Sequence, residues 1–299
     1  MRHVVLRIMW RGYNMRVITL VEDSLSEEQK NTGLNTEHGL SFFIETEKQS
    51  FLFDVGMSDL YRKNAEKMGI DVTKAEFLVL SHGHYDHGGG LNDFFENTKE
   101  DVPVYLRREG FGDYFSHRKT GLKYIGLEQE LKEKYRERLV YTEDLYRIND
   151  EVSIFSVNRD SESYKDNLPA ANTVLKKLSG DGEYAGDDFL HEQNLVVESN
   201  GKLILMSACS HCGIVNILEQ FESIYGRRPD VVIGGLHLTN PQTFECEPED
   251  RLDRLSEYFL QGNARYYIGH CTGDVAFLYL KRKLGERIEK LSTGIIIEI

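Results

Sequence analysis

The chain has 299 residues, 40% of them hydrophobic, and a formal net charge of −13 at pH 7, enough apolar mass for one large core. That charge opposes a nucleic-acid partner, because phosphate backbones call for a basic track, and no run nears the roughly 18–20 apolar residues that span a membrane. Four cysteines make no disulfide framework; reduced thiols point to a cytoplasmic protein. Residues 1–14 hold the short apolar stretch Val4-Val5-Leu6, broken by Arg7 and Arg11, which is no secretory signal. Met15 is an alternative start, since a strand pattern begins there. In chain order, strands are expected at 16–21, 40–45 and 50–54, a helix at 58–68, a strand at 76–80, a helix at 90–96 and a strand at 103–106. A helix at 126–138 and strands at 152–157, 194–198 and 202–207 follow. The chain closes with helix 213–224, strand 230–234, helix 248–261, strand 265–268 and helix 273–284. This is an α/β chain, read as one domain over 1–299, with an insert at about 101–190 placed to fold over a site.

The densest chemistry follows the apolar run Phe77-Leu78-Val79-Leu80. There stands Ser81-His82-Gly83-His84-Tyr85-Asp86-His87, then Gly88-Gly89-Gly90. Imidazole nitrogen and carboxylate oxygen suit zinc, and also manganese or iron. His82 and His84, two apart in extended chain, point the same way, while Asp86 and His87 lie in the following turn and can face a second ion. Three more histidines stand at strand ends before small residues: His211 in Ala208-Cys209-Ser210-His211-Cys212-Gly213, His237 in Gly234-Gly235-Leu236-His237, and His270 in Gly269-His270-Cys271-Thr272-Gly273. His191 opens His191-Glu192-Gln193-Asn194 ahead of a hairpin signal, and either it or Glu192 faces the metals. Cys209 and Cys212 form a Cys-x-x-Cys pair with no second pair nearby. Arg107, Arg108, Arg118 and Lys119, interleaved with Phe111, Tyr114, Phe115 and Tyr124, make a basic, aromatic cluster suited to a small anionic substrate.

The His-x-His-x-Asp-His segment is the signature of the metallo-β-lactamase superfamily, which the chain resembles. With Glu37-His38-Gly39-Leu40-Ser41, Phe51-Leu52-Phe53-Asp54-Val55-Gly56, Ser210-His211-Cys212-Gly213, Gly234-Gly235-Leu236-His237 and Gly269-His270-Cys271-Thr272-Gly273, it is similar to one branch of it. That branch is related to 7,8-dihydropterin-6-methyl-4-(β-D-ribofuranosyl)aminobenzene-5′-phosphate synthase. The resemblance implies an αββα four-layer sandwich and two divalent ions, zinc first, with manganese or iron as alternatives. It implies His82 and His84 on the first ion with His191 or His211, and Asp86, His87 and His270 on the second. Most members end the strand before His211 in Gly-Asp and bridge the two ions with that aspartate; here Cys209 and His211 occupy the neighbourhood and the bridging ligand stays open. Asp86 and His237 are the expected catalytic groups, Asp86 taking a proton from bound water and His237 meeting the leaving group. The implied activity is hydrolysis or group transfer on a phosphorylated metabolite. Lactonase or thioesterase chemistry, a diiron redox protein and a non-catalytic metal-binding protein are the alternatives. A homo-oligomer is left open.

Overall fold

The computed structural model describes residues 14–299, so all but the last residue of the 1–14 extension lies outside the described part. The chain enters on β1 (Met15–Val21), β2 (Ser41–Thr46) and β3 (Ser50–Phe53), then α1 (Leu60–Lys67), β4 (Leu78–Val79), the single turn α2 (Tyr85–Gly88), α3 (Leu91–Asn97) and β5 (Val104–Arg107). Next come β6 (Tyr114–Arg118), β7 (Gly121–Tyr124), α4 (Glu130–Lys134), β8 (Leu139–Thr142), β9 (Leu145–Arg147) and β10 (Val152–Phe155). After them lie β11 (Leu175–Leu178), β12 (Tyr184–Gly186), β13 (Asn194–Ser199) and β14 (Lys202–Ser207). The last part alternates: α5 (Ile214–Tyr225), β15 (Val231–Gly235), α6 (Glu249–Leu260), β16 (Arg265–Gly269), α7 (Asp274–Leu284), β17 (Ile288–Lys290) and β18 (Ile296–Glu298).

Two seven-stranded sheets face each other, ordered β18-β1-β2-β3-β4-β5-β8 and β17-β16-β15-β14-β13-β10-β9. Period-2 alternation builds the layers, because successive strand residues point to opposite faces. Phe42, Phe53, Val79, Leu195, Ile204 and Ile233 fill the space between the sheets. Their neighbours Phe43, Leu52 and Leu78 turn outward to α1 and α3, and Val196, Leu205 and Val232 turn outward to α5, α6 and α7. Helix α5 shows the matching 3.6-residue pattern, burying Ile214, Ile217, Leu218 and Phe221. The α/β class and the αββα four-layer sandwich expected from the sequence are what the chain forms.

The expected strands and most helices are present. The 126–138 helix is one short piece, Glu130–Lys134, followed by a 3-10 turn at Arg136–Arg138. Not all of 101–190 is an insert: β5 and β8 extend the first sheet and β9 and β10 the second. The separate part is a four-stranded sheet, β12-β11-β6-β7, drawn from residues on both sides of those strands. Its amphiphilic strands carry Arg, Lys and Tyr among few aliphatics, which is why their period was hidden in the sequence.

Strands β3, β4, β5 and β8 run parallel to one another, as do β14, β15, β16 and β17. Parallel neighbours need long crossovers, so their carboxyl ends collect on one edge, where ligands commonly bind. All the strand-end histidines lie on that edge. Phe53 is fully buried between the sheets one residue before Asp54. Phe53→Ala is expected to lower unfolding free energy by about 3–5 kcal/mol, read as a fall in the denaturant midpoint with an unchanged slope.

Candidate functional site

The first donors come from the loop leaving β4. His82 Nδ1 lies 2.8 Å from Ser81 Oγ, and Nε2 of His82 and of His84 is buried with no hydrogen-bond partner. His87 is completely buried, its Nδ1 2.7 Å from Asp54 Oδ2. Asp54 also accepts from the Ser81 N–H and Oγ–H, both at 2.7 Å, so one carboxylate orients the whole turn. An imidazole that donates Nδ1–H to a carboxylate keeps its Nε2 lone pair for a cation. Gly39 backs the same turn: a Cβ there would stand 2.1 Å from the Asp86 carbonyl oxygen.

The second sheet supplies the opposite wall. His270 Nε2 sits 3.3 Å from His87 Nε2, while its Nδ1 is 2.7 Å from Asp23 Oδ1. Two imidazoles whose outer nitrogens are both held by carboxylates thus meet nitrogen to nitrogen. Asp86 Oδ2 is 3.4 Å from His38 Nε2, 3.7 Å from His87 Nε2 and 3.6 Å from His270 Nε2. His211 Nε2 is another buried, unpartnered nitrogen; its ring stacks on Phe189 with centroids 4.7 Å apart. Cys209 Sγ is 3.2 Å from His87 Nε2 and completes two compact donor sets, one with His82 and His211, the other with His87 and His270. It stands where the sequence lacks a bridging aspartate.

His191 is buried beside His84 rather than exposed in an acidic loop, with ring centroids 5.1 Å apart. Its Nδ1 accepts from the Gly83 N–H at 2.9 Å and its Nε2 lies 3.1 Å from Asp187 Oδ2, which is itself 3.8 Å from His84 Nε2. His84, Asp187 and His191 therefore form a further donor set. Glu192 turns away and accepts from the backbone N–H groups of His211 and Cys212 at 2.6 and 2.7 Å, shaping the loop that presents His211.

Burial and the surrounding imidazoles hold His82 and His211 well below the usual imidazole range. Burial works against a charged His270, yet Asp23 outweighs it and raises that ring well above its usual range. Burial likewise opposes ionisation of Asp86, but His87, His270 and His38 keep it a carboxylate. Four strand-end residues here, Asp54, Ser210, His237 and His270, have φ between 50° and 59°, a left-handed conformation that non-glycine residues seldom adopt. Such strain collects where the surrounding structure imposes it for a function.

The donors open into a cavity of about 390 Å³ lined by His38, His84, Asp86, Cys209, His211, His237 and His270. Tyr85, Ile125, Leu175, Pro241 and Phe244 form its apolar wall. Strand β6 faces it with alternate residues: Tyr114 packs on His191 with centroids 4.0 Å apart, and Ser116 and Arg118 line the opening. Arg118 Nε is buried without a partner. Lys119, next along, is exposed in the β6–β7 turn. Arg107 and Arg108 lie elsewhere, in a separate recess with Glu109, Thr142 and Asp144, where Arg107 pairs with Asp144 at 3.0 Å. Of the basic cluster, only Arg118 lines the donor cavity; Arg107 at the end of β5 and Arg108 just after it line the other recess. The Cys-x-x-Cys pair is also split: Cys212 packs in the apolar core while Cys209 points into the cavity.

Asp23, His38, Asp187 and Cys271 enter the site without having been singled out. Asp23 and Cys271 each stand two residues beyond a strand end, and His38 sits inside the quoted Glu-His-Gly segment, so position near a strand end was the available signal. Asp187 follows β12, a strand that the sequence did not reveal, so it carried no such mark.

The model of the metallo-β-lactamase superfamily matches residues 34–150. The 7,8-dihydropterin-6-methyl-4-(β-D-ribofuranosyl)-aminobenzene-5′-phosphate synthase of Methanocaldococcus jannaschii is 28% identical over 295 residues, covering 95% of this chain and 97% of that protein. An uncharacterized protein of the same organism is 27% identical over 252 residues, 82% of this chain and 88% of its own. Among solved structures, Tm1679, a metal-dependent hydrolase of the β-lactamase superfamily, superposes with a TM-score of 0.76 at 28% identity, over 95% of this chain and 99% of that one. A diphosphatase from the PhnP family shares the fold at TM-score 0.54 and 15% identity, over 96% and 97% of the two chains.

Two measurements check this geometry. Asp54→Asn turns an amide donor toward His87 Nδ1 and favours the wrong tautomer, so affinity for a divalent cation should drop about 10–100-fold; a chelator-competition titration with no change would remove the orienting role. In metal-free protein, imidazole NMR should find His82 and His211 titrating below the ordinary imidazole value near about 6.5 and His270 titrating above it. The sign follows from linkage: unfolded chains protonate the depressed pair first, so these two groups withdraw stability as pH falls through the ordinary range.

Proposed function

From a chain that has the metallo-β-lactamase fold and resembles that superfamily through its His-x-His-x-Asp-His segment, we propose a metal-dependent enzyme acting on a small phosphorylated metabolite. The observation that carries this is a cavity lined by His84 and His211, each with an orphaned imidazole nitrogen and with that of His82 buried just behind them, whose rim holds an unpartnered buried guanidinium nitrogen of Arg118. Buried polar groups without partners are costly, by about 1–3 kcal/mol each, and a cation and an anion together would satisfy both kinds.

His82 and His84, with His211 or His191, would hold one divalent ion; Asp86, His87 and His270 would hold the other. Zinc fits the imidazole, carboxylate and thiol donors, and manganese or iron fits the harder subset. Bound there, such ions lower the pKa of water and neutralise charge on a phosphoryl oxygen. The protein's own groups do the rest. Arg118 binds the anionic group, with Ser116 beside it. Tyr85, Phe244 and Leu175 give a flat, apolar surface for a ring. Asp86, kept ionised by three imidazoles, accepts a proton, and His237 faces the departing group.

Hydrolysis of a phosphoester and condensation onto a dihydropterin both fit these parts. The relative's name, a pterin aminobenzene ribosyl-phosphate synthase, favours a substrate that joins an aromatic ring to a phosphate, which matches an apolar wall beside one arginine. Zinc-loaded protein is to be assayed on phosphomonoesters, phosphodiesters, lactones and the dihydropterin condensation. Arg118→Ala should raise KM for phosphorylated substrates about 10–100-fold, the worth of a charge-assisted hydrogen bond, and leave lactone turnover alone. Equal effects on both would move lactone hydrolysis ahead.

A further inference from the structure

Cys209 and Cys271 come from the ends of β14 and β16, on either side of β15, whose own end carries His237. Cys271 Sγ lies 3.6 Å from the Cys209 carbonyl oxygen. The two sulfurs and a ring nitrogen of His237 lie within 4.8 Å of one another, and all three residues line the cavity. His237 is 5% exposed, yet both its ring nitrogens are buried without a hydrogen-bond partner. It also keeps a left-handed backbone, at φ 50°. Its loop is clamped to that of Cys271: Thr272 Oγ1 accepts from the Leu236 N–H at 3.0 Å, and Thr239 Oγ1 donates to the Thr272 carbonyl at 2.8 Å. Room for the sulfur depends on Gly235, where a Cβ would come within 2.7 Å of Cys271 Sγ.

We propose that Cys209, Cys271 and His237 form a thiolate-rich binding site for a zinc-class cation, adjoining the two imidazole sets that Cys209 also completes and distinct from them in its other two donors. Two sulfurs and one imidazole are zinc ligands at about 2.3 and 2.0–2.1 Å, distances that three donors no more than 4.8 Å apart reach by small side-chain rotations. The fourth position faces the cavity. Uptake of one divalent ion forms two metal–sulfur bonds and releases to solvent whatever thiol protons the two sulfurs still carry. Sulfur donors also select: manganese and magnesium, which prefer oxygen, would fill the carboxylate set and leave this one to the softer cation.

The test titrates metal-free, full-length protein with Co²⁺ and records the near-ultraviolet sulfur-to-cobalt absorption. Cys271→Ser should lose about half of that band, one of two sulfur donors being gone, and Zn²⁺ but not Mn²⁺ should slow alkylation of Cys271 at least about tenfold. A full-strength band in Cys271→Ser, or alkylation indifferent to Zn²⁺, overturns the site. His237→Asn keeps both sulfurs and guards against a misfolded serine variant: Co²⁺ affinity should fall about tenfold, the cost of a lost ligand, and an unchanged affinity overturns the site equally. His84→Ala lies outside this set, so it should spare the band while lowering turnover. Absent turnover with the band intact would sink only the proposed activity; turnover without the band would sink only the thiolate site.

Discussion

One buried carboxylate underlies the site. Asp54 follows β3, has no exposure to solvent, and receives hydrogen bonds from the Ser81 backbone, the Ser81 hydroxyl and the His87 ring. A charge in that position is tolerable only because all three partners are in place. It fixes the turn after β4, the tautomer of His87 and, through Ser81, the setting of His82. Asp23 does for His270 what Asp54 does for His87. The two sheets therefore meet through imidazoles that are anchored behind and open in front.

That arrangement runs against the usual preference for satisfied polar groups. Close imidazoles with free nitrogens, left-handed strand ends and buried thiols each cost stability, and here they share one edge. The large inter-sheet core of Phe42, Phe53, Ile204 and Ile233 is what holds such a cluster together. It packs the strands that end in these residues, so the strained loops hang from the most rigid part of the molecule.

The sandwich and the leading donors were legible in the sequence because their patterns are local. An apolar strand running into His82-Gly83-His84 is visible within ten residues, and so are His211 and His270. Other parts were not, because contact is made across the fold. Asp23 meets His270 from the far end of the chain, and Cys209 finds Cys271 rather than Cys212, its neighbour in sequence. Arg107 and Arg118 looked like one cluster by spacing, but β5 stays in the main sheet while β6 leaves it, and that divergence separates them. The small sheet escaped notice since its strands bury little and so carry no clear alternation.

That small sheet also decides which parts of the chain shape the cavity together. Its two halves, β6–β7 and β11–β12, are written far apart in the gene and meet through the pairing of Ser116 with Leu175. Both of those residues face the cavity. A change of bulk in one alters the space left to the other in the cavity wall. The shape of the cavity wall is thus set jointly by two distant stretches of sequence, while the donors beneath it hang from the ends of the main-sheet strands.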